Sequence, residues 1–274
     1  MLRYIKINII LDKKNQEKPH FFLGSTLRGA FGVALKKVVC INPSFKCKDC
    51  FASSNCLFHD FYESKNKAHP YRFSKELGSI DYDFSLYLFE AATDKLPYVL
   101  SALHKMLYEI GLGVERKKHQ IQSITCNDIK VYENGKFNLE KTKIDTVSVS
   151  NPHSDIRLKL ITPLRIKNHN KLERKTIDLK RILQSIQNRL YELKNEDKKK
   201  LTFEPHYKLI KSDIKFLDLT RYSNKQKTKM KFGGLLGEMI FDEVDPKSFE
   251  LLKIAEIIGI GKQTVFGLGE VKIN

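Results

Sequence analysis

Two periodicities alternate along this chain, and their order restricts the fold more than any other feature. Stretches with period two read as strands with one buried face, and stretches with apolar residues every three to four positions read as amphipathic helices. Residues 2–11 alternate in the first way. Over 25–38, Leu27, Ala30, Phe31, Ala34, Leu35 and Val38 fall on one helical face, with Ser25 placed to cap it. Gly29 and Gly32 each cost such a helix about 1 kcal/mol, a cost that close packing on a sheet or a ligand would explain. After a cysteine-containing excursion, Tyr82 to Glu90 alternates again. Leu96, Val99, Leu100, Leu103, Leu107 and Ile110 then form a second helical stripe, stopped by Gly111, with His104 packed along it. Strand-like runs at 119–126 and 128–140 follow, the second folded back at Asn134-Gly135, a strong hairpin signal. This half reads β-α-β-α-β with an added hairpin.

The second half repeats the rhythm. Ile156 to Ile161 is strand-like and ended by Pro163, and Ile177, Ile182, Leu183, Ile186, Leu190 and Leu193 make a helical stripe beginning near Thr176. Runs at 203–219 and 235–242 read as strands, and Asp245-Pro246 pairs an N-cap with proline at the first helical position. Phe249, Leu252 and Ala255 carry that helix to Gly259, and a last strand is expected over 264–273. The order β-α-β-β-α-β is the split βαβ, or ferredoxin-like, pattern. The expected fold is therefore α+β. Two tandem ferredoxin-like domains, 1–150 and 151–274, join near 141–154, with a cysteine-rich insertion over 40–80 in the first. The halves match in element order and not in sequence.

Forty-nine Lys and Arg against thirty-two Asp and Glu give a formal charge of +17 over 274 residues. Such a surplus concentrates polyanions, so nucleic acid or an anionic membrane surface is the expected partner. The apolar runs fall far short of the roughly 20 residues that span a bilayer. The N-terminus alternates like a strand and lacks a signal peptide's apolar core. No basic amphipathic helix suits a membrane surface. The reading is a cytoplasmic chain, with no membrane partner, that meets nucleic acid.

Gly259 to Gly269 reads GIGKQTVFGLG. Gly259, Gly261, Gly267 and Gly269 would let backbone approach another molecule, while Lys262, Gln263 and Thr264 offer charge and polar groups to phosphate oxygens. A glycine-loosened hairpin reads the same way. Upstream, Arg221, Lys225, Lys227, Lys229 and Lys231 place five cations in eleven residues. The alternate lysines would share one face of an extended segment, although a solvated basic loop gives the same pattern. Arg157, Lys159, Arg165 and Lys167 extend the track, whereas 194–200 (KNEDKKK) reads as a solvated helix end.

Cys40, Cys47, Cys50 and Cys56 are spaced C-x6-C-x2-C-x5-C, and Cys126 stands alone. This spacing fits a tetrahedral thiolate site for structural zinc, ahead of an iron–sulfur cluster. Its expected role is to pin the segment carrying His59 against the first helix.

Several stretches together resemble one family. They are FFLGSTLRGAFGVALKKVV at 21–39, the cysteine cluster, Leu112-Gly113-Val114, IRLKLITPLRI at 156–166, RYSNKQKTKMKFGGLLGE at 221–238 and the terminal GIGKQTVFGLG. The family is the CRISPR-associated endoribonucleases that cut precursor crRNA within its repeats, members of the RAMP superfamily. The resemblance implies a pair of ferredoxin-like domains and repeat RNA or crRNA as partner. It also implies cleavage that needs no cofactor for its chemistry: the ribose 2′-hydroxyl attacks the adjacent phosphate, leaving a 2′,3′-cyclic phosphate and a 5′-hydroxyl. An effector complex and a homodimer both stay open as assemblies. A RAMP subunit that holds crRNA without cutting it is the alternative, because some relatives carry a histidine where this chain has Gly259.

The reaction needs a base, an acid and positive charge on the phosphorane. Histidine suits the proton transfers and Lys or Arg the charge. In many family members the catalytic histidine follows the first helix and precedes an acidic residue. His59-Asp60 resembles that arrangement and is the first candidate; His69 is second and His20 third. Lys36 and Lys37 end the first helix, where cations favour the dipole, and Lys36 is a further candidate for the phosphate.

Overall fold

The computed structural model describes residues 1–14, 17–65, 67–149, 151–168, 170–223 and 228–274. The chain divides into two compact units, Met1–Thr146 and Val147–Asn274.

The first unit runs β1 (Arg3–Leu11), α1 (Gly24–Val39), β2 (Tyr71–Ser74), β3 (Phe84–Phe89), α2 (Leu96–Lys105), β4 (Ile121–Cys126), β5 (Ile129–Glu133), β6 (Lys136–Phe137) and β7 (Asp145–Thr146). One antiparallel sheet results, ordered β2-β3-β1-β4-β5-β6, with β7 pairing the start of β1. Period two on β1 sends Ile5, Ile7, Ile9 and Leu11 into the core. The helices α1 and α2 pack on each other and contribute Leu27, Phe31, Ala34, Leu35, Val99, Leu100 and Leu103 to that core.

The sequence rhythm predicts no strand at β2, because four residues are too few for alternation to show. Its partners identify it instead. Tyr71 and Phe73 are buried against Phe31, and the Arg72 guanidinium lies 4.2 Å from the centre of the Tyr87 ring. With β2 included, the unit's elements run β-α-β-β-α-β before the β5-β6 hairpin.

Two expectations for α1 change. The helix begins at Gly24 behind Leu23, so Ser25 lies inside its first turn and not at the N-cap. Gly32 is kept by an aromatic ring from the following segment, since a Cβ there would lie 2.7 Å from the Tyr62 ring. A Cβ on Gly29 would meet nothing within 4 Å, and nothing in the structure explains that glycine. In α2, His104 stacks on Tyr108 with ring centres 4.4 Å apart, the packed role expected of it.

The second unit runs β8 (Ile156–Leu164), β9 (Lys167–Asn168), β10 (Lys171–Leu172), α3 (Leu179–Leu193), β11 (Lys208–Leu217), β12 (Thr220–Ser223), β13 (Thr228–Lys231), β14 (Gly234–Asp242), α4 (Pro246–Ile258) and β15 (Val271–Ile273). The main sheet is antiparallel in the order β11-β14-β8-β15, and β9-β10 and β12-β13 form separate hairpins. Asp245 caps α4 as expected, its Oδ1 accepting from the Lys247 and Ser248 amides at 3.1 Å each.

Two strand expectations are corrected. Pro163 does not end β8, because it falls in a register shift against β14 and beyond the pairing with β15, where no ladder donor is needed. The last strand is only Val271–Ile273, and 264–269 turns through a short 3₁₀ segment and two left-handed glycines instead. Among the described residues no helix is long and apolar enough to cross a membrane.

Two glycine substitutions should separate structural from dispensable positions. At Gly269, φ is +71° and a Cβ would stand 1.9 Å from the Ile260 carbonyl oxygen. Gly269→Ala should therefore lose about 3 kcal/mol or more. Gly29→Ala, in an open helical position, should gain about 0.5–1 kcal/mol. Urea denaturation of both variants beside the parent measures the difference.

Candidate functional site

The glycine-rich turn is seated on the end of β8 by main-chain contacts. Ile260 N donates to Gly269 O at 2.8 Å, Lys262 N to Arg165 O at 2.9 Å and Gly269 N to Pro163 O at 3.1 Å. Thr162 Oγ1 donates to Gly267 O at 2.7 Å and accepts from Glu270 N at 2.9 Å. A Cβ on Gly261 would lie 2.5 Å from Arg165 O. Thr264, Val265, Phe266 and Leu268 are buried, with Phe266 edge-on to Phe232 at 4.9 Å.

This corrects the expectation of a bare backbone facing outward. Gly259, Thr264, Gly267 and Gly269 are buried, and these glycines serve the chain's packing on itself. The accessible part of the turn is Gly261, Lys262 and Gln263, of which Lys262 is exposed.

Lys262 lines a cavity of about 350 Å³ against the polar face of α3. Arg165, Lys167, Arg181, Arg189 and Lys198 join it, and Glu192 is the one carboxylate among the described lining residues. Glu192 pairs with Lys198 at 2.6 Å, and Arg181 pairs with Glu173. Arg165 donates to the Gly233 carbonyl and, at 3.3 Å, to that of Lys231; partial burial pulls its pKa below the usual guanidinium value. Arg189 is buried and donates from Nε to Ile258 O at 2.8 Å, a cation at the C-terminal end of α4.

Segment 194–200 is more than a solvated helix end. Gln184 Nε2 donates to Lys199 O at 2.8 Å and Gln187 Nε2 to Lys200 O at 3.0 Å, which folds the segment back along α3. Sequence reasoning missed Arg181, Gln184, Asn188 and Arg189 as cavity residues. Their signal was present as a polar stripe at helical spacing, opposite the apolar stripe that identified α3.

The remaining cations of the second unit divide. Arg157 and Lys159 are exposed and alternate with buried Leu158 and Leu160, which puts them on the outer face of β8 beside Lys272 of β15. Arg221 is half-buried and packs on aromatic rings. Its guanidinium lies 4.8 Å from the Phe232 ring centre and 4.6 Å from that of Phe266. Lys231 is exposed at the end of β13, and Lys229 pairs with Tyr222 across the β12-β13 register. Lys225 and Lys227 lie outside the described residues.

In the first unit, His59 opens a wide helical turn, His59–Glu63, and is half-buried. With Lys36 from the last turn of α1 it lines a pocket of about 20 Å³ that also touches Cys40, Cys47, Cys50 and Cys56. The Lys36 ammonium sits 5.2 Å from the Phe58 ring centre. The fold thus brings the side chains of His59 and Lys36 to one small pocket.

His69 belongs to an aromatic cluster, its ring 6.3 Å from that of Tyr71. Burial pushes the Tyr62 and Tyr71 hydroxyls up in pKa, with Arg28 opposing the shift. His20 is exposed just ahead of α1. Among the described residues no three His, Cys, Asp or Glu side chains already stand in a metal-holding arrangement.

Residues 2–144 match the AF_1859_N N-terminal domain family, and residues 158–271 match the family described as CRISPR-associated endoribonuclease Cas6. An uncharacterized protein of Archaeoglobus fulgidus is 25% identical over 276 residues, covering 92% of each chain. Among solved structures, a Cas6 product complex aligns with a TM-score of 0.59 at 13% identity, covering 100% of this chain and 99% of the other. A Cas6-related protein from Pyrococcus furiosus aligns at 0.53, with the same identity and coverage. A RAMP protein described as binding different RNA substrates aligns at 0.52, again at 13% identity and with 100% and 99% covered. At such identities the likeness is one of fold, a mixed α/β arrangement with antiparallel sheets. The two family matches go further: the chain belongs to a Cas6-like CRISPR-associated family, with an AF_1859_N domain followed by a Cas6 domain.

Proposed function

We propose that this chain binds CRISPR repeat RNA and cuts it through attack of a ribose 2′-hydroxyl, with no metal in the chemistry. The observation that carries this reading is the cationic cavity beside Gly261-Lys262-Gln263, inside the stretch that matches the Cas6 family. Its volume suits a nucleotide-sized group, and clustered cations around a concave wall concentrate a phosphodiester chain. One protein of similar fold is described as binding different RNA substrates, which supports the same partner.

Both units are read as ferredoxin-like. The first places β2-β3-β1-β4 and the second β11-β14-β8-β15, the same order of equivalent strands. The cysteine segment then stands as an insertion between α1 and β2 of the first domain.

For the cut, His59 and Lys36 are the assigned groups. A neutral histidine accepts the 2′-hydroxyl proton, the 2′-oxygen attacks phosphorus and the bond to the 5′-oxygen breaks. That oxygen takes a proton from an acid, and the product carries a 2′,3′-cyclic phosphate and a 5′-hydroxyl. Lys36 supplies charge to the phosphorane, which is where such catalysis gains most. His69 and His20 follow as candidates, in that order. A subunit that holds crRNA without cutting it is the second reading, favoured by Gly259 where some relatives have a histidine.

Incubating the whole chain with its cognate repeat RNA, without added divalent metal, separates the two. A single cut with a cyclic phosphate end supports the enzyme, and tight binding without product supports the holding subunit. RNA with a deoxyribose at the scissile position should bind but stay intact; its cleavage would sink the mechanism. His59→Ala should slow the cut about a hundredfold or more, as loss of a general acid or base does.

The cavity has its own test. Lys167→Ala and Lys262→Ala should each weaken RNA binding and lower the slope of log affinity against log salt by about one. A slope equal to the parent's would show that the cavity faces away from RNA.

A further inference from the structure

The cysteine segment is the feature that RNA binding and cleavage leave unused. We propose that Cys40, Cys47, Cys50 and Cys56 bind one zinc ion as thiolates, in a tetrahedral site that fixes the segment between α1 and His59. This assignment does not depend on whether the chain cuts RNA.

Spacing alone places four thiols within seventeen residues, and the fold then brings all four to the wall of one pocket of about 20 Å³. All four are half-buried, whereas Cys126 is buried in β4, where desolvation pushes its thiol up to about 12. The four cluster cysteines, and not Cys126, are therefore the ones gathered at one pocket. Asn42 organises the approach to them. Its Nδ2 donates to Cys50 Sγ at 3.4 Å and to Lys46 O at 3.1 Å, while its Oδ1 accepts from Ser44 N at 3.0 Å. An amide donating to a ligand sulfur is the kind of outer contact that orients thiolates around a metal.

Charge points the same way. Four thiolates around a divalent ion make a doubly negative centre, and the side chains of two lysines, Lys36 and Lys46, lie along the pocket with them.

The segment also needs such a tie. Ile41, Phe45 and Phe51 are exposed, at 71%, 47% and 73%, so its larger apolar side chains contribute little burial. Because no three ligands already stand in a metal-holding arrangement among the described residues, the ion would draw the sulfurs inward from the pocket wall. Closure would then link Cys40, directly after α1, to Cys56, three residues before His59.

The test uses the whole chain, purified under reducing conditions. Elemental analysis should find about one zinc per chain, and replacement by cobalt(II) should give the intense visible bands of a tetrahedral thiolate site. Cys47→Ser and Cys50→Ser should lose the zinc and the bands, while Cys126→Ser keeps both. Limited proteolysis of the parent should show new cuts within 41–57 once a chelator strips the metal. A parent protein with no zinc and no cobalt bands overturns the site, as does equal loss in Cys126→Ser. Iron with sulfide in place of zinc overturns the identity of the metal. Should the serine variants fail to fold, the parent's metal content and cobalt spectrum decide the question.

Discussion

Main-chain contact between the glycine-rich turn and the end of β8 is the constraint on which the second unit rests. Pro163 O, Arg165 O and Ile260 O all approach glycine or its neighbours so closely that a side chain at Gly261 or Gly269 would enter a carbonyl. Once seated, the turn delivers Phe266 to Phe232, and that ring pair carries the guanidinium of Arg221. Arg165, on β8, reaches the carbonyls of Gly233 and Lys231 and so ties the β12-β13 hairpin to the same corner. Arg189 fixes the other approach by holding the last carbonyl of α4. The cavity wall around Lys262 is what these contacts leave open. Its shape is therefore as rigid as the turn's own packing.

Arginine and lysine divide the labour in this unit, and the formal charge conceals it. Arg165, Arg189 and Arg221 are committed to carbonyls and aromatic rings, as suits a planar, weakly hydrated cation with several fixed donors. Lys159, Lys167, Lys231 and Lys262 stay exposed, as suits a strongly hydrated point charge. Arg165, Arg189 and Arg221 build the surface, and the exposed lysines, with Arg157, supply the field at it. Attraction supplied by exposed lysines is screened by salt over about 8 Å under physiological conditions. A polyanion held mainly by such groups would be bound in a strongly salt-dependent way.

How much of this the sequence disclosed depends on the range of each interaction. Helices α1 to α4 and strands β1, β3 and β14 are visible because each carries its own periodic signal over at least six residues. β2 is hidden, since its identity lies in Phe31 and Tyr87, distant in sequence. The glycine-rich turn was located correctly and turned the wrong way. Glycine serves equally where backbone meets a ligand and where backbone meets backbone, and only the burial of Thr264, Phe266 and Leu268 separates the cases. The run V-F-G-L, apolar on both sides of Gly267, was the available hint. The cavity could not be read locally at all, because it joins residues 165–168, one face of α3 and Lys262.

In the first unit, His59 is held from the side that follows it by aromatic packing. Phe58 stacks on Tyr62 at 5.0 Å and Phe61 on Tyr71 at 4.6 Å, while Tyr62 donates to Arg28 O at 2.7 Å over the bare backbone of Gly32. That glycine, costly to a helix on propensity alone, is what lets the ring come so near α1. On the side that precedes it, the segment carries the cysteine pocket, where polar contacts such as those of Asn42 are in place. The two anchors differ in kind. Aromatic burial is established as the chain folds, whereas thiolate ligation requires an ion and deprotonated sulfur. A general base gains from rigidity, because proton transfer tolerates little error in distance. The turn bearing His59 is therefore oriented by its aromatic side.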